Sequence, residues 1–343
     1  VYIHSFRLQF FCVTMCFLFN AGIKGEGLTY VSSVSVLVNQ KTFASSENST
    51  ATGYIWFQQG FVLAPAVGDV SYSLTLDIEP QINGDINFNN TGILVLARDI
   101  TLGSDVTWTN SGTIQGGGFA ISLTNDLAYS GTNKTLMFAG TDTIIDGQGH
   151  SLTIGGSSQF AVSSGKTLTL KNMTLVLSST ADVLDIAGTL VLDNVRVVLG
   201  TTNYTFNTGA VVIKNNCMFT GVAGAVWTYS SSGNFTISSY SQLHLDHDIT
   251  FKHDSSATNN IVFTDRSSRL LMTGSTLEKT TSTLTLTRGT LIADHKSYLK
   301  GSSSGDITLG SSANGGADNL YIIFLPSATI DACGRTITYA NAS

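Results

Sequence analysis

Residues 168–172 read LTLKN, residues 190–194 LVLDN and residues 211–215 VVIKN. Each word alternates apolar and polar side chains, the period of a strand with one buried face. The series continues as FTISS at 235, IVFTD at 261, LTLTR at 284 and ITLGS at 307. From Leu168 onward the steps are 22, 21, 24, 26, 23 and 23 residues. Less regular words extend it upstream: LVLAR at 94, ISLTN at 121 and LTIGG at 152. A unit this short cannot bury its own apolar face, whereas stacked units bury a continuous column of Leu, Ile, Val and Phe. No segment carries a 3.6-residue apolar period with caps. The reading is all-β, a parallel β-solenoid with about 21–26 residues per turn.

Asn172, Asn194 and Asn215 close the first three words at equivalent positions. Stacked asparagines can join their amides along the axis, as identical side chains do in stacked sheets, so these three are expected to form a structural ladder. A coarser repeat accompanies them. GTIQGGGFAISL (112–123), TIIDGQGHSLTI (143–154) and ATIDACGRTITY (328–339) share an apolar start, a glycine-containing bend and alternating apolar residues. The pair Asp146 and His150 invites an active-site reading. The other copies carry Gln115 and Asp331 in place of Asp146, and no histidine in place of His150. What recurs is the bend, which makes it architectural.

These periods, with words such as IDGQGH, resemble the right-handed, single-stranded parallel β-helices of the pectin-lyase-like class. They also resemble autotransporter passengers and other surface adhesins. The resemblance covers residues 86–343 and implies a right-handed parallel β-helix. Residues 22–85 fit the repeat poorly; TYVSSVSVLV and VSYSLTLDI within them read as strands, giving an N-terminal β cap or small β-domain. Residues 1–21 read as a signal peptide: a basic residue in HSFRLQ precedes the apolar FFCVTMCFLFNAG, too short for a membrane span of about 20 residues. An exported protein, secreted or at the cell surface, with no stable membrane span after cleavage is therefore expected. The sequence stops in TIDACGRTITYANAS, just after starting another turn. This reads as an open end on which further chain or a second subunit would stack.

Composition narrows the functions. Only 12% of the 343 residues are charged and the net charge is −6, with no Lys/Arg cluster. A nucleic-acid partner would call for a basic stripe, so none is expected. Cys12 and Cys16 leave with the signal. Cys217 and Cys333 lie several turns apart, beyond the roughly 7 Å Cα limit of a disulfide, and are read as buried free thiols.

The polygalacturonase words Asn-Thr-Asp, Asp-Asp, Gly-His-Gly and Arg-Ile-Lys do not occur. LIADHKS, around Asp294 and His295, is faintly similar to a pectate-lyase word but lacks its tryptophan and has no basic partner. The best concentration of chemistry is HLDHDITFKHD (244–254), with three of the six histidines and three acidic residues. Alternation puts Leu245, Ile249 and Phe251 inside. His244, Asp246 and Asp248 then project outward, with Cβ atoms roughly 7 Å apart along the strand. Asp246 and Asp248 are the candidate metal ligands, calcium being the ion that suits carboxylates, and His244 would face a ligand. His247 and His253 fall inside by strict alternation unless a bend intervenes. Trp56, Trp108 and Trp227 are the candidates for exposed stacking platforms, with packing the favoured reading of each. No catalytic residue is assigned. The expected role is structural, adhesive or assembly-related and non-enzymatic, with glycans or self-association through the solenoid ends as partners. The alternatives are a polysaccharide lyase or glycoside hydrolase and a glycan-binding module without turnover.

Overall fold

The structure, a computed structural model, describes backbone strands from Thr29 and, with side chains, most of the chain from Ile82 to Ala340. Residues 1–28 and 341–343, and short stretches that include 179–182, 255–260 and 312–318, lie outside the described residues. The expected signal peptide falls in that outer part.

The chain is all-β, a right-handed parallel β-solenoid of about nine turns. One registered column shows why. Ile100, Ile121, Ile145, Leu170, Leu192, Ile213, Ile237 and Phe263 are successive Cα partners across parallel strands. Their steps are 21, 24, 25, 22, 21, 24 and 26 residues, and every member is at most 3% exposed. Each strand is an edge until the next turn covers it, and neighbouring strands stand about 4.8 Å apart. The hydrophobic column and the backbone ladder thus stabilise the same stacking.

Asparagine makes the corners. Thr167–Leu177 and Thr189–Leu199 are eleven-residue strands, each crossing from one sheet to the next at an asparagine with positive φ: Asn172 (49°) and Asn194 (57°). Asn215 (54°) occupies the same place between Ala210–Lys214 and Asn216–Gly221. A side chain in the left-handed region costs roughly 1–2 kcal/mol, and asparagine tolerates it best among non-glycine residues. The bend shifts the alternation by one residue, so Leu168 and Leu170 before it, and Met173, Leu175 and Leu177 after it, all point inward.

A second sheet flanks this corner: Asn203–Phe206, Val226–Tyr229, Thr250–His253, Thr276–Lys279, Tyr298–Lys300 and Thr329–Asp331. Its inner face is aromatic in the early turns. The Trp227 ring lies 4.7 Å from Phe219 and 4.9 Å from Tyr204, and Phe206 stacks on Tyr229 at 5.4 Å.

Parallel pairing also runs through the N-terminal region. Thr29–Val38 pairs with Ser49–Phe57, that strand with Tyr72–Ile78, and that one with Gly92–Leu96. Towards the other end the turns lengthen: Ile307 is registered with Ile337 and Leu291 with Ile322, steps of 30 and 31 residues. Ile337 and Tyr339 continue the columns of buried Ile307 and Leu309, yet are 45% and 59% exposed because no strand layer covers them among the described residues.

Candidate binding surface

The recurrent bend is a two-residue turn with both central residues left-handed. The pairs are Gly117/Gly118, Gln148/Gly149 and Cys333/Gly334. Each closes with a backbone hydrogen bond: Phe119 N to Gly116 O, His150 N to Gly147 O and Arg335 N to Ala332 O, at 2.9, 2.8 and 3.0 Å. This is the geometry of a type I′ turn, for which glycine and small amides are selected. Asp146 serves the turn: its Oδ1 accepts from Gln148 N at 3.1 Å, and Asp331 Oδ1 accepts from Cys333 N at 2.8 Å in the equivalent place. Asp146 is otherwise occupied by Asn172 and by Lys171, whose Nζ is 3.8 Å from Oδ2. His150 meets Asp126 at 3.8 Å on the surface, a contact of small energy.

The corner amides form a chain. Asn172 Nδ2 donates to Asp146 Oδ1 at 3.2 Å, and Asn194 Nδ2 donates to Asn172 Oδ1 at 3.1 Å. The third asparagine turns aside: Asn215 Nδ2 donates to Asp193 Oδ1. An open groove runs along this corner, lined in part by Gln148, Asn172, Thr174, Asn194, Arg196 and Met218. Asn194→Ala should lower stability by about 1–3 kcal/mol, from the left-handed backbone and one lost hydrogen bond. Asn194→Gly keeps the backbone and should lose about 1 kcal/mol. Urea unfolding of both variants checks this. Equal losses would remove the corner conformation as the cause.

Beside the corner, the column that alternates with the core column is uncharged and β-branched: Thr169, Val191, Val212, Thr236 and Val262 in register, of which Val191 is buried at 6% exposure and the other four are partly exposed. On the aromatic-lined sheet the outward column is charged with alternating sign: Lys252, Glu278, Lys300 and Asp331. Lys300 Nζ donates to Glu278 Oε1 at 3.1 Å, which holds the lysine above its ordinary pKa.

The HLDHD segment is not one continuous strand. Gln242–Leu245 ends at a turn in which Asp248 has a φ of 60°, and Thr250–His253 starts a new strand on the next sheet. The single outward row expected for His244, Asp246 and Asp248 is therefore corrected. His244 lies on the first strand, its Nε2 3.0 Å from Thr273 Oγ1, and burial lowers its pKa despite Asp246. Asp246 and Asp248 flank the turn; Asp246 N donates to Phe219 O and Asp248 N to Gly274 O, both at 3.0 Å. His247 is exposed at the turn, whereas His253 points inward. Among the described residues, no group of three or more His, Cys, Asp or Glu side chains is placed to hold a metal.

Trp108 and Trp227 are 3% and 0% exposed and are packing residues, the reading favoured from the sequence. The side chain of Trp56 and all of His295 lie outside the described residues, while Asp294 ends the strand Gly289–Asp294. Cys217 is a buried thiol pushed up to about 11 by burial. Cys333 is not buried: it occupies the left-handed first position of a turn, half-exposed, with its Sγ donating to Gly301 O at 3.1 Å. The inward His253 has a buried polar partner that the sequence reading does not include. Lys279 is 1% exposed and its Nζ lies 2.7 Å from Nδ1 of His253. The signal was present as an inward phase in TLEK, one turn beyond His253.

No protein-family model, no curated protein and no solved structure matches the chain.

Proposed function

We propose that this chain is an exported β-helix of the pectin-lyase-like class, displayed or secreted, whose role is adhesive and structural rather than catalytic. The observation that carries the reading is the uncharged, partly exposed β-branched column Thr169, Val212, Thr236 and Val262 beside the amide corner, continuous in register through the buried Val191. Stiff β-branched side chains repeated about every 4.8 Å give a preorganised strip that loses little entropy on contact. The amides of Asn194 and Asn172 and the guanidinium of Arg196 along the groove suit polyhydroxylated surfaces such as glycans. The apolar Ile337, exposed among the described residues, suits contact with a further strand layer, the chemistry of end-to-end assembly.

The test incubates the full chain with acidic and neutral polysaccharides, with calcium and with chelator, and reads new reducing ends, unsaturated products and retention. Retention of at least one polysaccharide without product is expected. Product formation that disappears in Asp246→Ala or Asp248→Ala would replace this reading with an enzymatic one.

A further inference from the structure

Phe206, Tyr229, His253 and Lys279 are successive register partners on the inner face of the aromatic-lined sheet. All four are at most 2% exposed. The column begins as solenoid interiors should, with Phe206 on Tyr229. It continues with the His253 ring stacked on Tyr229 at 5.8 Å and 25°. It then places an alkylamine against the imidazole. The 2.7 Å contact between Lys279 Nζ and His253 Nδ1 has one natural assignment: the ammonium donates and the neutral ring accepts. Nε2 then carries the ring proton, and it has no hydrogen-bond partner.

Among the described residues, few groups face His253 that would favour a second positive charge. Tyr229, from the preceding turn, is itself pushed up to about 12 by burial and stays a neutral phenol. Asp254, next to His253, is the acidic group that acts on both bases, and its Oδ1 already accepts from Thr280 Oγ1. Phe235 and Phe251 pack nearby with no charge to give. Lys252 and Glu278 stand on the outer side of the same strands.

We propose that His253 and Lys279 form an acid-sensitive latch in the solenoid core. Protonation of His253 turns the acceptor into a second donor, leaving two cations in direct contact. The strands Thr250–His253 and Thr276–Lys279 then separate. The opening is local, because solenoid turns are stabilised mainly by their immediate neighbours.

Burial, then the Lys279 charge, holds His253 down at about 4, below its ordinary 6.5. The open form therefore binds more protons between these values, and the latch weakens as pH falls from 6.5 towards 4. Lys279, lowered by burial to about 8 from 10.5, acts in a separate window: it favours closure as pH rises from 8 to 10.5.

The test is amide hydrogen exchange on the full chain at pH 6.5 and 4.0, corrected for intrinsic exchange. The opening constant of residues 250–254 and 276–280 should rise by about 80-fold, while residues 168–177 keep their protection. His253→Phe combined with Lys279→Met should abolish the rise. An equal loss of protection at residues 168–177, or the same acid response in a folded double variant, would overturn the latch. Should the variant fail to fold, NMR titration of His253 in the unaltered chain decides: a midpoint near 4 supports the latch, and an ordinary midpoint overturns it.

Discussion

Trp227→Ala should destabilise the protein by about 3–5 kcal/mol, the range for emptying a buried large aromatic site. Trp227 is fully buried and is the ring on which three others converge: Phe219 at 4.7 Å, Tyr204 at 4.9 Å and Phe206 at 6.3 Å. Phe219 comes from a strand paired on both sides, and Tyr204 and Phe206 from the strand paired to that of Trp227 itself, so the site cannot collapse without disturbing neighbouring ladders. Urea unfolding followed by circular dichroism measures the loss. Exchange protection at residues 203–206 and 226–229 should fall first. A loss below about 1 kcal/mol would mean that the aromatic cluster is not what holds these turns.

Gly209→Ala should be nearly as damaging, for a different reason. Gly209 has a φ of 74°, and an added Cβ would lie 1.9 Å from Ile186 O and 2.4 Å from Gly188 O. Those are backbone atoms, and Leu184–Ile186 is pinned by its pairing with Gln159–Val162. The left-handed backbone costs roughly 1–2 kcal/mol and the overlap adds a comparable amount, about 2–5 kcal/mol in all. Gly224→Ala is the control. Its φ is 75°, but nothing lies within 4 Å of the added carbon, so only the backbone cost of roughly 1–2 kcal/mol should appear. Equal melting-curve shifts for the two variants would show that close approach of turns does not matter at Gly209.

The stacking was legible because it is written twice, once in the spacing and once in the alternation. Leu170, Leu192 and Ile213 occupy the same place in three words, and the same column in the fold. The corner was legible as a repeated asparagine, although its cause is backbone conformation as much as side-chain bonding: Asn215 keeps the left-handed φ while its amide leaves the ladder for Asp193. Strict alternation failed where a strand turned a corner without an asparagine or glycine to announce it. Asp248 takes the left-handed position after Leu245, so the expected row of His244, Asp246 and Asp248 straddles a bend. Cys333 reads as a buried thiol from the sequence, whereas its neighbour Gly334 and the capping Asp331 put it on the turn. Lys279 was missed because a lysine in an inward phase contradicts the composition of a core. Its partner His253 lies 26 residues away in sequence and one turn away in space.

The function was less legible for a related reason. A repeating scaffold presents every outward position many times, so a residue type at one turn carries little information by itself. What discriminates is a column: Thr169 to Val262 without a charge, and Lys252 to Asp331 with alternating charge.

The registered column from Ile100 to Phe263 also makes the molecule a ruler graduated in whole turns. Removing residues 171–192 would take Leu192 from the column and leave Leu170 to meet Ile213 directly, one aliphatic chain for another, with Asn194 taking the place of Asn172 at the corner. The rod would shorten by one strand spacing, about 4.8 Å. Every other layer would keep its partner. Excising half as many residues would bring a strand of one sheet onto a strand of another and break the register above the cut. Length in this architecture is therefore tolerant of duplication and deletion in steps of one turn and intolerant of anything between.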